Sequence, residues 1–574
     1  MFNKYYEDEL LKLKHLAVEF AQANPALAPM LSGPSSDPDV ERLLEGVAFL
    51  TGLTRQKLDD EFPEFVQELA NLLFPHFLRP VPSTTMVSFS PKAPLSATVR
   101  IGAGTDLDSL PVDGTSCRFR TCSALDVHPL TLEGVRVDQR AGHAPVLTLD
   151  FVLQSTTLTQ WTGQSVRLFL GAAYADAAKL LLLLQQHVTG VRVGDDTGGV
   201  ELGRQALHAS GFETSLLPVA GHAFPGYATV QEFFVQPDKF LFIDIVDLAR
   251  WTGRGPGKQF SVTIRLDQLP EWMPELSADS FQLNVTPAIN LFAHEAAPIS
   301  HQHRVTEYRV LPEGQNRQHY QIYAIDKVSG YQQGQARERL YLPFGVFQRA
   351  GDEAMPSYRT TLRPATVGRG ADVFLSVNYP TDAAPLPETL SLRITCTNGA
   401  LPVSLKLGDL NVPTSTSPDR MRFANIRRFT PALNPPSGEA LLWRIISHTS
   451  LNLLSIASAD NLKNLLGLYL FAERSEHHQE AANRRRIDAI EEVTATPETR
   501  LVGRGCVMRG QLVSIKCRMD NFAGIGDLYL FGCILNRFLG DYAGINAYTR
   551  VKLEDPLSGA MFTWPPRLGQ QPLL

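Results

Sequence analysis

The sequence has 574 residues, of which 44% are hydrophobic and 20% are charged. This composition excludes a disordered chain and a fibrous repeat, and the length predicts about three or four domains that each bury a core. The 53 basic and 59 acidic residues give a net charge of −6. That balance argues against a nucleic-acid partner held by a large positive field.

The first sixteen residues, MFNKYYEDELLKLKHL, lack the continuous apolar segment of a signal peptide, because Glu7, Asp8 and Glu9 interrupt it. The nearest approach to a membrane span is residues 180–184, far shorter than the about 18 apolar residues that a spanning helix needs. Six irregularly spaced cysteines form no Cys-x-x-Cys pair, so neither a disulfide framework nor a zinc ribbon is indicated. We therefore expect a cytoplasmic protein without direct membrane insertion.

Residues 1–83 are predicted to form an N-terminal helical region. Apolar residues recur there at helical spacing and form one stripe: Tyr6, Leu10, Leu13, Ala17 and Phe20. We call Tyr6, Leu10, Leu13 and Phe20 the seam; it packs either on partner chains or on residues 40–74 of its own chain. A second helix is predicted to open at Asp37-Pro38 and a third at Pro63, and the prolines from residue 75 to 82 end the region.

The remaining chain predicts a multi-domain α+β protein with three further regions. Residues 84–300 form a mainly-β domain with a helical insertion at 172–186, and residues 301–435 form a second mainly-β domain, because short β-type runs alternate there with turn residues. Residues 436–574 are predicted as a C-terminal α+β domain. Within it we expect helices at about 438–456, 460–473 and 534–541, and strands around 510–518 and 526–533.

The sequence carries no motif that assigns a catalytic, cofactor-binding or metal-binding residue. The loop Gly253–Gln259 has the wrong glycine spacing for a phosphate loop and carries Gln259 where Ser or Thr should bind magnesium. His294, His301 and His303 are close in sequence but lack a further ligand at a suitable spacing. No Gly-x-Ser-x-Gly motif is present, and the run 484–486 of three arginines is balanced by nearby acids, which favours a solvated or subunit-contact face.

Several segments, collinear from end to end, resemble one known family. They are YYEDEL (5–10), DPDVERLL (37–44), RQKLDDEFP (55–63), LLFPHFLRP (72–80), NLF (290–292), TEYRV (306–310), ETLSLR (388–393), LWRIISH (442–448), RID (486–488), WPPR (564–567) and QPLL (571–574). On these segments the chain resembles the TssF family, also called ImpG or VasA, of type VI secretion baseplate subunits. No single string is a chemical motif, so the specificity lies in their order along the chain.

This resemblance implies a structural role in a contractile, phage-tail-like injection apparatus, and no enzyme activity. It implies that two such chains associate with one TssG, that TssK and TssE join this wedge, and that wedges surround the VgrG spike and support the sheath and tail tube. It also implies recruitment to an apparatus docked at the inner membrane.

Beside the seam, we expect Trp564, Pro565 and Pro566 to form a stiff apolar contact strip. The alternative function is a carbohydrate-binding or hydrolytic β-domain protein, which requires exposed aromatic rings or a pair of carboxylates in a cleft. A metal-dependent enzyme is the third function considered.

Overall fold

A computed structural model describes most of the chain. The described residues are 2–23, 38–53, 76–140, 142–218, 225–332, 338–344, 355–365, 370–379, 387–435, 458–470, 478–502, 506–541, 543–544 and 547–569. The chain divides into two compact units. The first comprises Met1–Leu73 with Ser437–Ser447, and the second comprises Phe74–Pro436 with His448–Leu574.

In the first unit the structure describes two helices, α1 (Phe2–Ala23) and α2 (residues 38–53). Helix α2 begins at the predicted position, since Pro38 has the backbone geometry of a first helical turn. Lys14 Nζ of α1 lies 3.5 Å from Glu41 Oε1 of α2, and Ala17 and Ala48 are buried. The predicted helices at Pro63 and at 438–456 lie outside the described residues.

The second unit contains five further helices within the described residues. In chain order they are α3 (Tyr174–Gln186), α4 (Pro225–Val235), α5 (Ala459–Gly467), α6 (His478–Asp488) and α7 (Ile525–Asp541). Helix α3 is the predicted insertion, and seven of its thirteen residues are buried. It is apolar enough to lie inside the unit, where it packs against α7.

A six-stranded sheet starts this unit. Its strands, in spatial order, are Val412–Pro413, Asp106–Val112, Thr115–Thr121, Val285–Ile289, Thr84–Pro91 and Met421–Asn425. A core of apolar residues that includes Val87, Phe89, Phe119 and Phe423 packs on it. The strand Thr84–Pro91 pairs on one side with residues 285–289 and on the other with residues 421–425. One sheet therefore contains strands from both sides of residue 300. The proposed domain boundaries at 83, 300 and 435 stay predictions.

Three smaller sheets lie within residues 99–283. The central five-stranded sheet has the order Gly198–Glu201, Val188–Asp195, Gln259–Leu266, Val146–Leu153 and Leu130–Asp138. A four-stranded sheet has the order Leu207–His208, Phe242–Ile245, Val166–Leu170 and Phe281–Leu283, and a two-stranded sheet pairs Val99–Ile101 with Leu125–Val127. Every second residue of the strand Gln259–Leu266 is buried, which gives the five-stranded sheet an apolar face.

An eight-stranded sheet follows. Its main path is Phe292–Glu295, Glu388–Thr397, Gln321–Gln332, Glu338–Pro343, Ser357–Pro364, Ala371–Asn378 and Glu307–Arg309, and Ile299–His301 pairs with the second of these. Every second residue from Leu390 to Ile394 is fully buried, in the pattern of a strand with one face on a core.

The C-terminal sheet has five strands: Ile490–Val502, Cys506–Cys517, Ala547–Glu554, Met561–Thr563 and Arg567–Leu568. The predicted strand at 526–533 is wrong, because helix α7 spans Ile525–Asp541 without interruption. Residues 528–535 are apolar on all sides, and such a run does not distinguish a buried strand from a buried helix. Helix α7 is enclosed by α3, α4 and the strand Ala547–Glu554, so it needs no polar face.

Candidate interaction surfaces and polar sites

The seam lies on α1 and is half-buried where the structure describes its side chains. Tyr6, Leu10 and Leu13 are partly covered, while the side chain of Phe20 lies outside the described residues. More exposed apolar side chains lie elsewhere on the same unit: Leu11 is 64% exposed on α1 and Leu43 is 68% exposed on α2. The unit therefore presents apolar surface beyond the predicted seam.

The predicted C-terminal strip divides into a buried and an exposed part. Trp564 is only 7% exposed, its ring stacks on Tyr529 with centroids 5.6 Å apart, and its Nε1 donates to Cys533 Sγ at 3.3 Å. Pro565 and Pro566 are exposed. Trp564 thus packs on α7 of its own chain, and the prediction of a partner contact is narrowed to the two prolines.

Arg486 does not lie on a solvated face, which corrects the expectation for that residue of the arginine run. Its guanidinium lies 3.0 Å from Asp527 Oδ1, and the two side chains are 5% and 1% exposed. Asp527 Oδ1 also accepts a hydrogen bond from the Tyr174 hydroxyl at 2.7 Å. Arg484, by contrast, is exposed and pairs with Glu480 at 3.3 Å. Local charge balance in sequence cannot reveal a counter-ion forty residues away.

The three candidate histidines do not converge on one point. The rings of His301 and His303 have centroids 4.1 Å apart, but His294 stacks on Tyr320 and its Nε2 is 2.9 Å from the carbonyl oxygen of Glu313. Within the described ranges, no group of three or more His, Cys, Asp or Glu side chains is arranged to hold a metal ion.

A buried carboxylate that sequence reasoning missed lies beside His301. Glu388 accepts hydrogen bonds from the hydroxyls of Tyr341 and Tyr379, the latter at 2.6 Å. Burial and the neighbouring carboxylate raise the pKa of both phenols, so they remain protonated donors. Both hydroxyls donate to the same oxygen, Oε1, of the buried Glu388 side chain, which is a structural role.

The central five-stranded sheet carries a groove of about 690 Å³ on its outer face. Two of its four carboxylates, Asp150 and Asp195, are engaged in structural bonds. Asp150 receives two hydrogen bonds from Arg136, at 2.9 and 3.0 Å, and one from Ser261 at 2.7 Å. Burial raises the pKa of Asp195, but hydrogen bonds from Thr197, Gly255 and Gly198 outweigh it and lower that pKa below its ordinary value.

Phe151 and Phe260, which contribute backbone to the groove, turn their rings into the core. The lowered pKa of Asp195 is the opposite of what a glycosidase acid needs, and the residues that line the groove provide no stacking platform for a sugar.

Comparison with known proteins decides the family. A family model described as "Type VI secretion system, TssF" matches residues 1–571. The chain belongs to the TssF family. A relative, type VI secretion system component TssF1 of Pseudomonas aeruginosa strain PAO1, is 30% identical to this TssF-family chain over 633 aligned positions, which cover 100% of this chain and 99% of the relative.

Solved structures agree with this assignment. A chain of the type VI secretion system TssK-TssF-TssG baseplate subcomplex, determined by cryo-electron microscopy, superposes with a TM-score of 0.78 at 29% identity, covering 93% of this chain and 99% of that one. A chain of the baseplate complex from the type VI secretion system superposes with a TM-score of 0.59 at 25% identity over the full length of both.

The family, the multi-domain α+β fold class and a structural role in the baseplate were predicted from the sequence and are confirmed. In the part of the chain that the structure describes, no helix is long and apolar enough to cross a membrane.

Proposed function

We propose that this chain is a structural, non-catalytic subunit of the baseplate wedge and that it binds TssG and TssK. The observation that carries the proposal is its similarity, over 93% of its length, to a chain of the TssK-TssF-TssG subcomplex. In the wedge, two copies of the chain associate with one TssG, and TssE joins them. The wedges surround the VgrG spike and support the sheath and tail tube in the cytoplasm, at an apparatus docked on the inner membrane.

The N-terminal helical unit is the part that we assign to partner binding. Two helices with apolar residues on several faces gain little stability by themselves, and most helical stability comes from packing. The seam retains uncovered area at Tyr6, Leu10 and Leu13, and the exposed Leu43 extends the apolar surface onto α2. Helices of a partner chain would bury this area, as in a helical bundle.

Affinity purification followed by mass spectrometry tests the assignment. The full-length tagged chain, expressed at native level with its own secretion genes, should recover TssG and TssK in stoichiometric amounts, with TssE and VgrG present at lower abundance. A catalytically inert protein of unrelated fold serves as the bait control. Recovery of the chain without TssG and TssK, under conditions where both are expressed, contradicts the proposal.

A further inference from the structure

The groove on the central five-stranded sheet is built in register across all five strands. Residues directly opposite one another form its floor, namely Gly134, Asp150, Ser261 and Gly194, and Gly199 continues this row on the fifth strand. Three of these five have no side chain, and Arg136 and Ser261 hold the Asp150 carboxylate in place. The floor is therefore a low row that crosses the strands at right angles.

Rows of larger side chains flank this floor. On one side Arg136, Thr263 and Arg192 line the groove, and Thr148 and Glu201 lie in register with them. On the other side lie Val152 and Gln259, which pair directly, together with Glu133 and Asp196. Residues two apart on a strand point to the same face and are about 7 Å apart, so the two walls are separated by about 14 Å.

The dimensions fit one extended polypeptide. Five strands at about 4.8 Å spacing give a floor about 19 Å long, which about six residues of extended chain span. A width of about 14 Å accommodates one extended chain with its side chains directed to both walls, because side chains alternate along a strand.

The charges that remain available to a ligand are opposite on the two walls, because Glu201 on the first wall is paired with Arg265. Arg192 lies on one wall and is exposed, and Glu133 and Asp196 lie on the other and are exposed as well. Among the residues that the structure describes, Arg192, Gln259 and Thr263 make no side-chain hydrogen bond, whereas Arg136, Asp150 and Asp195 are paired within the chain. The groove thus offers one cation facing two carboxylates, with amide and hydroxyl groups between them.

We propose that this groove binds an extended segment of a neighbouring baseplate chain. The segment places an acidic side chain against Arg192 and a basic side chain against Glu133 and Asp196. The mixed charge selects a polypeptide over a polyanion, and the inward rings of Phe151 and Phe260 leave no platform on which a sugar could stack. The inference rests on the proposed function, because it takes its occupant from the assembled complex.

Site-specific photo-crosslinking in the purified assembled complex tests this. A benzophenone amino acid replaces Gln259 or Thr263, one at a time, and Ser90 on the exposed face of the six-stranded sheet is the control position. We expect ultraviolet light to join positions 259 and 263 to one short stretch of a single neighbouring chain that the control does not capture. Arg192→Glu should lower the yield at 263 about tenfold, since it reverses one side of a close charge pair.

Several outcomes overturn the inference. If the complex copurifies intact but positions 259 and 263 capture nothing, or only their own chain, the groove is not a docking site although the proposed function stands. Capture of the same peptide from Ser90 shows non-specific proximity and also counts against it. Saturable binding of chitohexaose that Thr263→Trp abolishes would assign the groove to a sugar instead. If no partner copurifies at all, the proposed function fails first and the inference with it.

Discussion

Arg486 and Asp527 form an ion pair that is almost completely withdrawn from solvent, with a guanidinium nitrogen 3.0 Å from a carboxylate oxygen. The pair joins α6 to the start of α7. Asp527 also accepts hydrogen bonds from the Tyr174 hydroxyl of α3 and from the backbone N–H of Ala523. Three helices from distant parts of the sequence therefore meet on one carboxylate. Such a pair is costly to break, because the partner left behind is a buried, uncompensated charge.

We expect Asp527→Ala to lower the free energy of unfolding by about 3–5 kcal/mol, the usual cost of breaking a buried ion pair. Urea unfolding followed by circular dichroism measures the effect. Arg484→Ala is the matched control: Arg484 is exposed, and its pair with Glu480 should contribute less than about 1 kcal/mol. Equal losses in both variants would show that the burial of Arg486 carries no energetic consequence.

Gly532 of α7 lies directly beneath the Trp564 ring, so that a methyl group at residue 532 would overlap it. Alanine is the better helix former by about 1 kcal/mol, yet we expect Gly532→Ala to destabilise the protein by about 1–3 kcal/mol through overpacking. Thermal melting measures this, and Trp564→Leu should relieve part of the loss in the double variant.

Gly46 of α2 provides the opposite case, because a methyl group there meets no atom within 4 Å. Gly46→Ala should therefore stabilise the protein by up to about 1 kcal/mol. If Gly532→Ala stabilised the protein as Gly46→Ala does, the result would contradict the packing of Trp564 on α7.

His76 predicts a pH dependence. Burial, assisted by Arg79, lowers the pKa of His76 from 6.5 to about 4. The unfolded chain then binds a proton near pH 6.5 that the folded chain accepts only near pH 4, so stability falls as the pH drops through this interval. Between pH 7 and pH 5 we expect His76 alone to contribute a loss of about 2 kcal/mol.

The His76→Phe variant isolates this contribution. Phenylalanine keeps a ring beside Tyr227 and Tyr469, the neighbours of His76, but does not titrate. Urea unfolding of both proteins at pH 7, 6 and 5 should show a shallower decline for the variant. Parallel declines would mean that His76 is accessible to protons in the folded state.

The seam is tested by Leu10→Asp combined with Leu13→Asp. We expect this variant to keep its circular dichroism and melting curve but to recover less than about a tenth of the wild-type TssG, because carboxylates would then lie at the centre of the contact. Leu11→Asp with Val18→Asp is the control, since these exposed residues lie seven apart on the opposite face of α1.

Two results would contradict the seam as a contact. Global unfolding of the Leu10/Leu13 variant would place the seam in the subunit's own core. Loss of TssG from the Leu11/Val18 variant alone would move the contact to the other face of α1.

The exposed prolines are tested by Pro565→Ser with Pro566→Ser. The change leaves the Trp564 ring on α7 and removes only the stiff apolar strip, so the melting temperature should stay within about 2 °C while wedge assembly weakens. Truncation after Thr563 is a poor substitute, because it also deletes the buried Trp564 ring. Unchanged recovery of TssG and TssK by the serine variant would exclude a contact there.

Local pattern predicted the fold where one face of an element meets solvent or where a cap marks an end. Helix α2 begins at the predicted Asp37-Pro38 position, and α3 lies within two residues of the predicted insertion at 172–186. Pattern failed at residues 526–533, because uniform apolarity lacks a period. The geometry of α7 instead depends on Gly526, which lets its backbone approach Ala178 and Lys179 of α3.

The polar sites could not be predicted from the sequence for a different reason. The counter-ion of Arg486 is Asp527, and Glu388 meets Tyr341 and Tyr379 across strands, so each partnership depends on tertiary placement. The groove likewise depends on register, since Gly134, Ser261 and Gly194 become one row only when their three strands and the strand that carries Asp150 pair. The family could be identified from the sequence, because the order of the matching segments along the chain does not depend on how the residues are placed in the folded protein.

The pairing of the strand Thr84–Pro91 also governs how the protein can be made. One of its neighbours is Val285–Ile289 and the other is Met421–Asn425, so the ribosome must add more than three hundred residues before the strand is flanked on both sides. At usual elongation rates this takes on the order of half a minute, during which an apolar strand has an open edge. A lower temperature during expression should therefore raise the soluble yield, because hydrophobic association of the unpaired strand weakens on cooling.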